Sequence, residues 1–250
     1  MKVLGIPLYD KGMDAALKEV MDTCTGTGKK KNRCISATGA HGLITAKKDP
    51  EFAKVLQGFH MNLPDGRPGA TVGKLKGAKG MSQITGPDFF GKLIASSAGK
   101  PIKHYFCGGK EGVAEELKQH CDKDFGNRNV VGCYSPPFRK MEEDELASLG
   151  KEISDSGCDV LWIGLSTPKQ ELFALSLLPH LEVHFIVCVG AAFDFYSGNL
   201  QKAPGWITRA GLEWLYRLLK EPKRLWKRYF EIVPKFLWYA SIELLSGKDR

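Results

Sequence analysis

No C-x-x-C pair occurs among the seven cysteines of this 250-residue chain, and its six histidines follow no zinc-ligand spacing. The cysteine count is odd, and Cys34, Cys107 and Cys188 sit inside apolar runs. That pattern excludes a disulfide or zinc framework and points to free thiols in a reducing compartment. No P-loop is present, no G-x-G-x-x-G fingerprint follows a strand, and no D-x-D pair stands where a divalent metal would hold a diphosphate. No stretch approaches the roughly 20 apolar residues of a spanning helix. The best run, 185–195, is broken by Gly190 and Asp194. Met1-Lys2-Val3-Leu4-Gly5-Ile6-Pro7 lacks the layout of a secretory signal. The expectation is a cytoplasmic protein with peripheral membrane contact at most. Internal repeats and low-complexity linkers are absent too.

What is present is an ordinary globular composition, 43% hydrophobic and 26% charged, with a net charge of +8. A basic balance favours anionic partners without choosing among nucleic acid, lipid and phosphate-bearing substrates. Short β-rich runs at 33–38, 102–107, 129–134, 159–165 and 183–189 alternate with helical patterns at 42–56, 112–120, 142–156 and 169–178. Such alternation predicts βαβ units: an α/β, Rossmann-like, mostly parallel sheet with helices on both faces. Ligands of such sheets bind beyond the carboxyl ends of the strands. That directs attention to the loops after Thr38, Cys107, Tyr134, Leu165 and Val189. The expected division is an α/β domain over 1–195 and a C-terminal helical appendage over 196–250.

Four segments within the α/β part carry candidate chemistry. In Phe106-Cys107-Gly108-Gly109-Lys110-Glu111-Gly112 a strand runs through glycines into a helix. Gly108 and Gly109 form either a tight turn or a phosphate site at a helix N-terminus. Leu63-Pro64-Asp65-Gly66-Arg67 reads as ordinary turn chemistry, or as a carboxylate base at a cleft mouth. In Leu165-Ser166-Thr167-Pro168-Lys169-Gln170-Glu171, Thr167 can cap a helix that Pro168 begins. A cap leaves the polar Lys169, Gln170 and Glu171 at the ligand edge unexplained. Asp194, between Phe193 and Phe195, suits either a sugar hydroxyl or a backbone amide.

The appendage differs in composition. It holds 11 Lys and Arg against 5 Asp and Glu, and four of the five tryptophans: Trp206, Trp214, Trp226 and Trp238. At about 100° per residue, Arg217, Arg224 and Arg228 fall within about 40° of one another, with Pro222 between them. Leu225, Tyr229, Ile232, Val233, Phe236 and Ala240 form an apolar stripe. A basic, aromatic amphipathic helix suits a membrane interface, or packs its stripe on the domain. No nucleic-acid recognition motif accompanies the charge.

Together these motifs resemble the WecG/TagA/CpsF glycosyltransferases, family 26 of bacterial cell-surface polysaccharide synthesis. The resemblance rests on an ordered series: Val160-Leu161-Trp162-Ile163-Gly164-Leu165 and Pro168-Lys169-Gln170-Glu171; Phe193-Asp194-Phe195 and Gly198; Ala203-Pro204-Gly205-Trp206; Gly211-Leu212-Glu213-Trp214-Leu215-Tyr216-Arg217; and Glu221-Pro222-Lys223-Arg224. It implies inverting, metal-independent transfer of a hexosyl or N-acetylhexosaminyl group, with no cofactor. The donor would be a UDP-sugar, and the acceptor a polyprenyl-diphosphate-linked sugar on the inner face of the cell membrane. Carried over, Asp65 is the base. Thr38, Gly108, Gly109, Gln170, Glu171, Asp194 and Lys202 serve the donor side. Arg217, Arg224 and Lys227 or Arg228 meet the acceptor diphosphate and the lipid surface.

Three positions depart from the family pattern. Ala40 stands where an Asn is usual, Gln83 where an Arg is favoured, and Lys202 opens what is usually Arg-Ala-Pro. They imply a changed donor, or a catalytically inactive sugar-nucleotide-binding module on the same fold. A homo-oligomer is left open. A nicotinamide oxidoreductase, suggested by βαβ units alone, is disfavoured because no acidic residue is placed for a ribose.

Overall fold

The computed structural model describes residues 1–201, 203–210 and 212–246, and for 208–210, 213, 224 and 228 the backbone alone. The chain opens with an antiparallel hairpin, β1 (Lys2–Val3) and β2 (Ile6–Pro7), and a helix, α1 (Met13–Thr25). Next come β3 (Arg33–Thr38), α2 (Ala40–Lys48), α3 (Pro50–Gly58), β4 (Met61–Pro64), α4 (Arg67–Leu75) and α5 (Gly86–Ser97). The alternation continues through β5 (His104–Gly108), α6 (Val113–Phe125), β6 (Val130–Tyr134) and α7 (Glu143–Asp155). It ends with β7 (Val160–Gly164), α8 (Lys169–Leu177), β8 (Phe185–Cys188) and α9 (Ala192–Tyr196). Three more helices follow: α10 (Gly205–Ala210), α11 (Glu213–Lys220) and α12 (Pro222–Ser246).

Six strands form one parallel sheet in the order β4-β3-β8-β7-β5-β6, the α/β architecture that the alternation predicts. Its central strands are apolar runs because helices cover both faces. On one face α1, α5, α6 and α9 pack on Phe106, Trp162 and Val187. There Phe90 meets Trp162 edge-on with ring centroids 4.8 Å apart. On the other face α7 and α8 cover Tyr105, Leu161, Ile163 and Ile186. The helix after β7 therefore leaves to one face and the helix after β8 to the other. Their strand ends part, the condition for a ligand crevice.

The predicted helix over 42–56 is two helices. Asp49 accepts N–H bonds from Glu51 (3.0 Å) and Phe52 (3.1 Å), and Pro50 starts α3. A cap and an N1 proline restart a helix in the middle of a helical pattern. The hairpin and β4 were not foreseen, being too short for a periodic signal.

A third core cluster joins the hairpin, α2, α4 and α12, with Ile232, Phe236 and Ala240 buried in it. A buried ion pair locks that contact. Lys76 Nζ lies 2.5 Å from Glu243 Oε1 and donates to the Lys2 carbonyl at 2.8 Å. Glu243 Oε2 accepts the Leu4 N–H at 2.7 Å. With its remaining valences filled, such a pair costs about 3–5 kcal/mol to break by removing one partner. Removing α12 would therefore strip part of this core.

Beneath the sheet, His104 is fully buried. Trp162 Nε1 donates to its Nδ1 at 3.1 Å, and its Nε2 lies 2.8 Å from Ser97 Oγ. Burial pushes its pKa down from 6.5 to about 4. The folded state thus keeps the ring neutral, while the unfolded chain takes up a proton below about pH 6.5. The neutral ring's contribution is complete above that pH and falls away as pH drops toward 4, by about 3 kcal/mol in all. Urea midpoints measured between pH 7 and 4 should decline over this window, and His104→Gln should flatten that part of the profile.

Candidate active site

The carboxyl ends of β3, β4, β7 and β8 bring the predicted polar residues together. Thr38 closes β3 and pairs in register with Pro64 of β4, and the Asp65 N–H donates to the Thr38 carbonyl at 3.1 Å. Asp65 therefore sits just past the end of β4, half-buried, beside the first turn of α2. The approach is tight: a Cβ on Gly39 would stand 2.8 Å from the Asp65 carbonyl oxygen. The Thr38 hydroxyl is loosely held, with its two acceptors, Asn62 Oδ1 and the Ser36 carbonyl, at 3.3 and 3.4 Å. Ala40 is the first residue of α2, and the neighbour of Gln83, Ile84, donates its N–H to Pro64 at 2.9 Å. Two of the three departures, Ala40 and Gln83, thus lie next to segments that meet the end of β4.

Glu171 is the hub. It is buried, and its Oε1 accepts from Ser36 Oγ (2.9 Å), Thr167 Oγ1 (2.9 Å) and Gln170 Nε2 (3.0 Å). Gln170 Oε1 in turn accepts the Gly190 N–H at 2.9 Å, across the crevice between β7 and β8. The network joins β3, the β7–α8 turn, α8 and the β8–α9 loop. Glu171 Oε2 is buried without a hydrogen-bond partner. The Thr167 hydroxyl is spent on Glu171 and caps no backbone amide; Pro168, after a cis peptide bond, precedes α8. The capping expectation for Thr167 therefore fails, because a side-chain acceptor lies closer to hand. Gln170 and Glu171 are thus built into a buried network under the strand ends.

Gly108 and Gly109 lie at the same edge. Their φ angles of +144° and +77° are positive, and a Cβ on Gly108 would stand 2.7 Å from the Gly164 backbone. The Gly109 N–H donates to the Gly164 carbonyl at 3.1 Å. Close approach of the β5 and β7 ends accounts for Gly108, and at Gly109 a Cβ would stand 2.8 Å from Val113 Cβ at the start of α6. Asp194, on α9, is half-buried, and its carbonyl accepts the Leu200 N–H at 2.8 Å.

The tail reaches this edge through Arg217 of α11, whose guanidinium lies 5.4 Å from the centroid of Phe195, next to Asp194. Glu221 pairs with it at 3.6 Å. α11 ends at Lys220 with a non-helical Glu221 after it, and α12 starts at Pro222, so the angular alignment of Arg217 with Arg224 and Arg228 does not carry across the break. Lys227 is exposed, its Nζ 5.8 Å from the Trp226 ring centroid. Lys202 and the side chains of Arg224 and Arg228 lie outside the described residues.

The stripe of Leu225, Ile232, Phe236 and Ala240 turns inward and is buried, while Val233 is exposed. A second apolar face is open to solvent: Trp226, Phe230 and Leu237, which the periodicity had not singled out, together with Val233; Trp238 is exposed to one side of it. All four tail tryptophans are at least 48% exposed, whereas Trp162 is fully buried. Among the described residues no helix is long and apolar enough to cross a membrane, and no three His, Cys, Asp or Glu side chains stand together as metal ligands.

The carboxyl edge of the parallel sheet thus brings together a buried polar network, the half-buried Asp65 and Arg217 of α11. The glycosyl transferase WecG/TagA/CpsF family matches residues 1–250, and the chain belongs to that family. It is 33% identical over 192 residues to an N-acetylglucosaminyldiphosphoundecaprenol N-acetyl-beta-D-mannosaminyltransferase of Bacillus spizizenii, covering 77% of this chain and 72% of the relative. A protein of the same name from Bacillus subtilis is 29% identical over 216 residues, 86% of this chain and 80% of that one.

The tight contact at Gly39 makes a prediction. Gly39→Ala should force the turn at Asp65 to shift and, on the reading of Asp65 as base proposed below, lower kcat/KM about a hundredfold. Steady-state assays alongside thermal melting distinguish this from loss of the fold.

Proposed function

We propose that this enzyme transfers a hexosyl or N-acetylhexosaminyl group from a UDP-sugar to a sugar held on a polyprenyl diphosphate. The observation that carries the reading is Asp65 just past the end of β4, bonded to Thr38 on the strand whose Ser36 reaches Glu171. The relatives' names supply the lipid-diphosphate acceptor. In this reading the Asp65 carboxylate takes the proton of the acceptor hydroxyl. The oxygen attacks the anomeric carbon from the face opposite the diphosphate. The bond from that carbon to the diphosphate oxygen breaks, UDP leaves with the electron pair, and the configuration inverts. Thr38, Gly108, Gly109, Gln170, Glu171, Asp194 and Lys202 form the donor side. Arg217, Arg224 and Lys227 or Arg228 face the acceptor diphosphate, where guanidinium forks suit phosphate. Cationic side chains supply the charge stabilisation that a metal would otherwise bring.

A polyprenyl acceptor lies in the bilayer, so the enzyme works as a peripheral protein on the inner membrane face. The exposed face of α12 is its anchor, with aromatic rings suited to the headgroup region.

Asp65→Asn should leave UDP binding by calorimetry within about twofold and reduce turnover by about 10²–10⁴-fold, the usual contribution of a general base. Full activity of that variant would remove the base assignment. Absence of turnover by the unmodified enzyme across a panel of UDP-sugars would favour the inactive module. For the anchor, Trp226→Ser, Phe230→Ser and Leu237→Ser combined should leave melting unchanged and weaken sedimentation with anionic vesicles about tenfold or more. Undiminished sedimentation would refute it.

A further inference from the structure

Ser36 is fully buried inside β3, between the apolar Ile35 and Ala37. A hydroxyl is kept in such a place only where it has a partner. Its partner is Glu171 Oε1, at 2.9 Å and 135 positions away in the chain. Thr167, half-buried in the β7–α8 turn, donates to the same oxygen at 2.9 Å and accepts from Gln170 Nε2 at 3.3 Å. Gln170 Nε2 also donates to Glu171 Oε1, at 3.0 Å. With its nitrogen held on that side, the amide turns its oxygen to the Gly190 N–H at 2.9 Å. The two ends of an amide differ in hydrogen bonding and hardly at all in shape, so these partners choose its orientation.

Gly190, at φ +58°, lies in the loop between β8 and α9. That loop is crowded from the other side: a Cβ on Gly86 of α5 would stand 2.4 Å from the Val189 carbonyl oxygen. Ser36 and Thr167 also meet Thr38 and α2. Thr38 Oγ1 donates to the Ser36 carbonyl at 3.4 Å. A Cβ on Gly42 of α2 would stand 3.2 Å from Thr38 Cγ2 and 3.8 Å from Thr167 Cγ2. Thr38 and Gln170, both assigned above to the donor side, therefore lean on Ser36 and Thr167 respectively.

We propose that Ser36 and Thr167 are positioning residues for the donor: through Glu171 they fix the Gln170 amide and the Gly190 loop that receive the UDP-sugar. This rests on the glycosyltransferase reading and adds to it two hydroxyls that act through other side chains. Asp65 is held separately, past the end of β4, by its N–H bond to the Thr38 carbonyl. Loss of either hydroxyl therefore acts on donor binding more than on the chemical step.

The test uses the full chain with UDP as the binding probe. Thr167→Val keeps the shape of the side chain and removes the hydroxyl, whereas Thr167→Ser keeps the hydroxyl. Thr167→Val and Ser36→Ala should each weaken UDP binding by calorimetry and raise the donor KM about tenfold, with kcat within about threefold. Thr167→Ser should stay within about twofold of the unmodified chain in both. Ser97→Ala is the control for loss of a buried hydroxyl as such. Ser97 Oγ bonds His104 and the Leu93 carbonyl at the amino edge of the sheet. That variant should melt lower and keep its UDP affinity. A Thr167→Val or Ser36→Ala protein that melts lower but binds UDP as the unmodified chain does overturns the proposal. So does a Thr167→Ser variant as impaired as Thr167→Val. If Ser36→Ala does not fold, the two Thr167 variants decide alone. If the unmodified chain binds no UDP, the donor reading itself falls and takes this role with it.

Discussion

The carboxylate of Glu171 is buried where three parallel strands end, and the loops around it depend on how its charge is handled. No cation reaches it among the described residues. Instead Ser36, Thr167 and Gln170 converge on one oxygen, each donating its proton inward. A buried carboxylate without such donors would be too costly to keep. The donors in turn lose their freedom: both hydroxyls point to Glu171, and the Gln170 amide is oriented so that its oxygen takes the Gly190 N–H. One charge thereby sets the conformation of the β7–α8 turn and the β8–α9 loop. Thr38, two residues past Ser36 on β3, keeps only long bonds.

The sheet was legible because its strands are buried on both faces. Runs such as Val160 to Ile163 carry no polar residue, and helical patterns separate them. β4 was not, because its four residues include Asn62 and end in Pro64. Asn62 is tolerated there because its side chain satisfies the Pro7 and Leu56 carbonyls, a long-range solution with no local sign. The break between α2 and α3 was signalled by Asp49-Pro50, but the helical period on either side masked it.

The site was legible in its parts and hidden in its connections. Turn chemistry alone left Asp65 ambiguous, and family resemblance rather than periodicity singled it out. The Lys169-Gln170-Glu171 trio stood out as polar residues at a ligand edge. Their arrangement depends on Ser36, 135 positions earlier in the chain, which no local pattern marks. Glu171 falls four residues after Thr167, one too far for a capping box, and that offset is meaningful. The threonine hydroxyl bonds the carboxylate itself, so the two side chains form a floor instead of a cap.

The tail shows why a single hydrophobic stripe is an incomplete description of a helix. α12 is apolar on two sides. One side is used in the third core cluster, braced by the Lys76–Glu243 pair, and cannot also face lipid. The helix is thus fastened to the domain by its inner face, which leaves Trp226, Phe230, Leu237 and Trp238 presented outward. Large apolar side chains exposed along one rigid helix cost solubility and call for a partner surface. A helix held this firmly carries its aromatic face as part of the body. Engagement of that face with a surface would therefore orient the whole sheet.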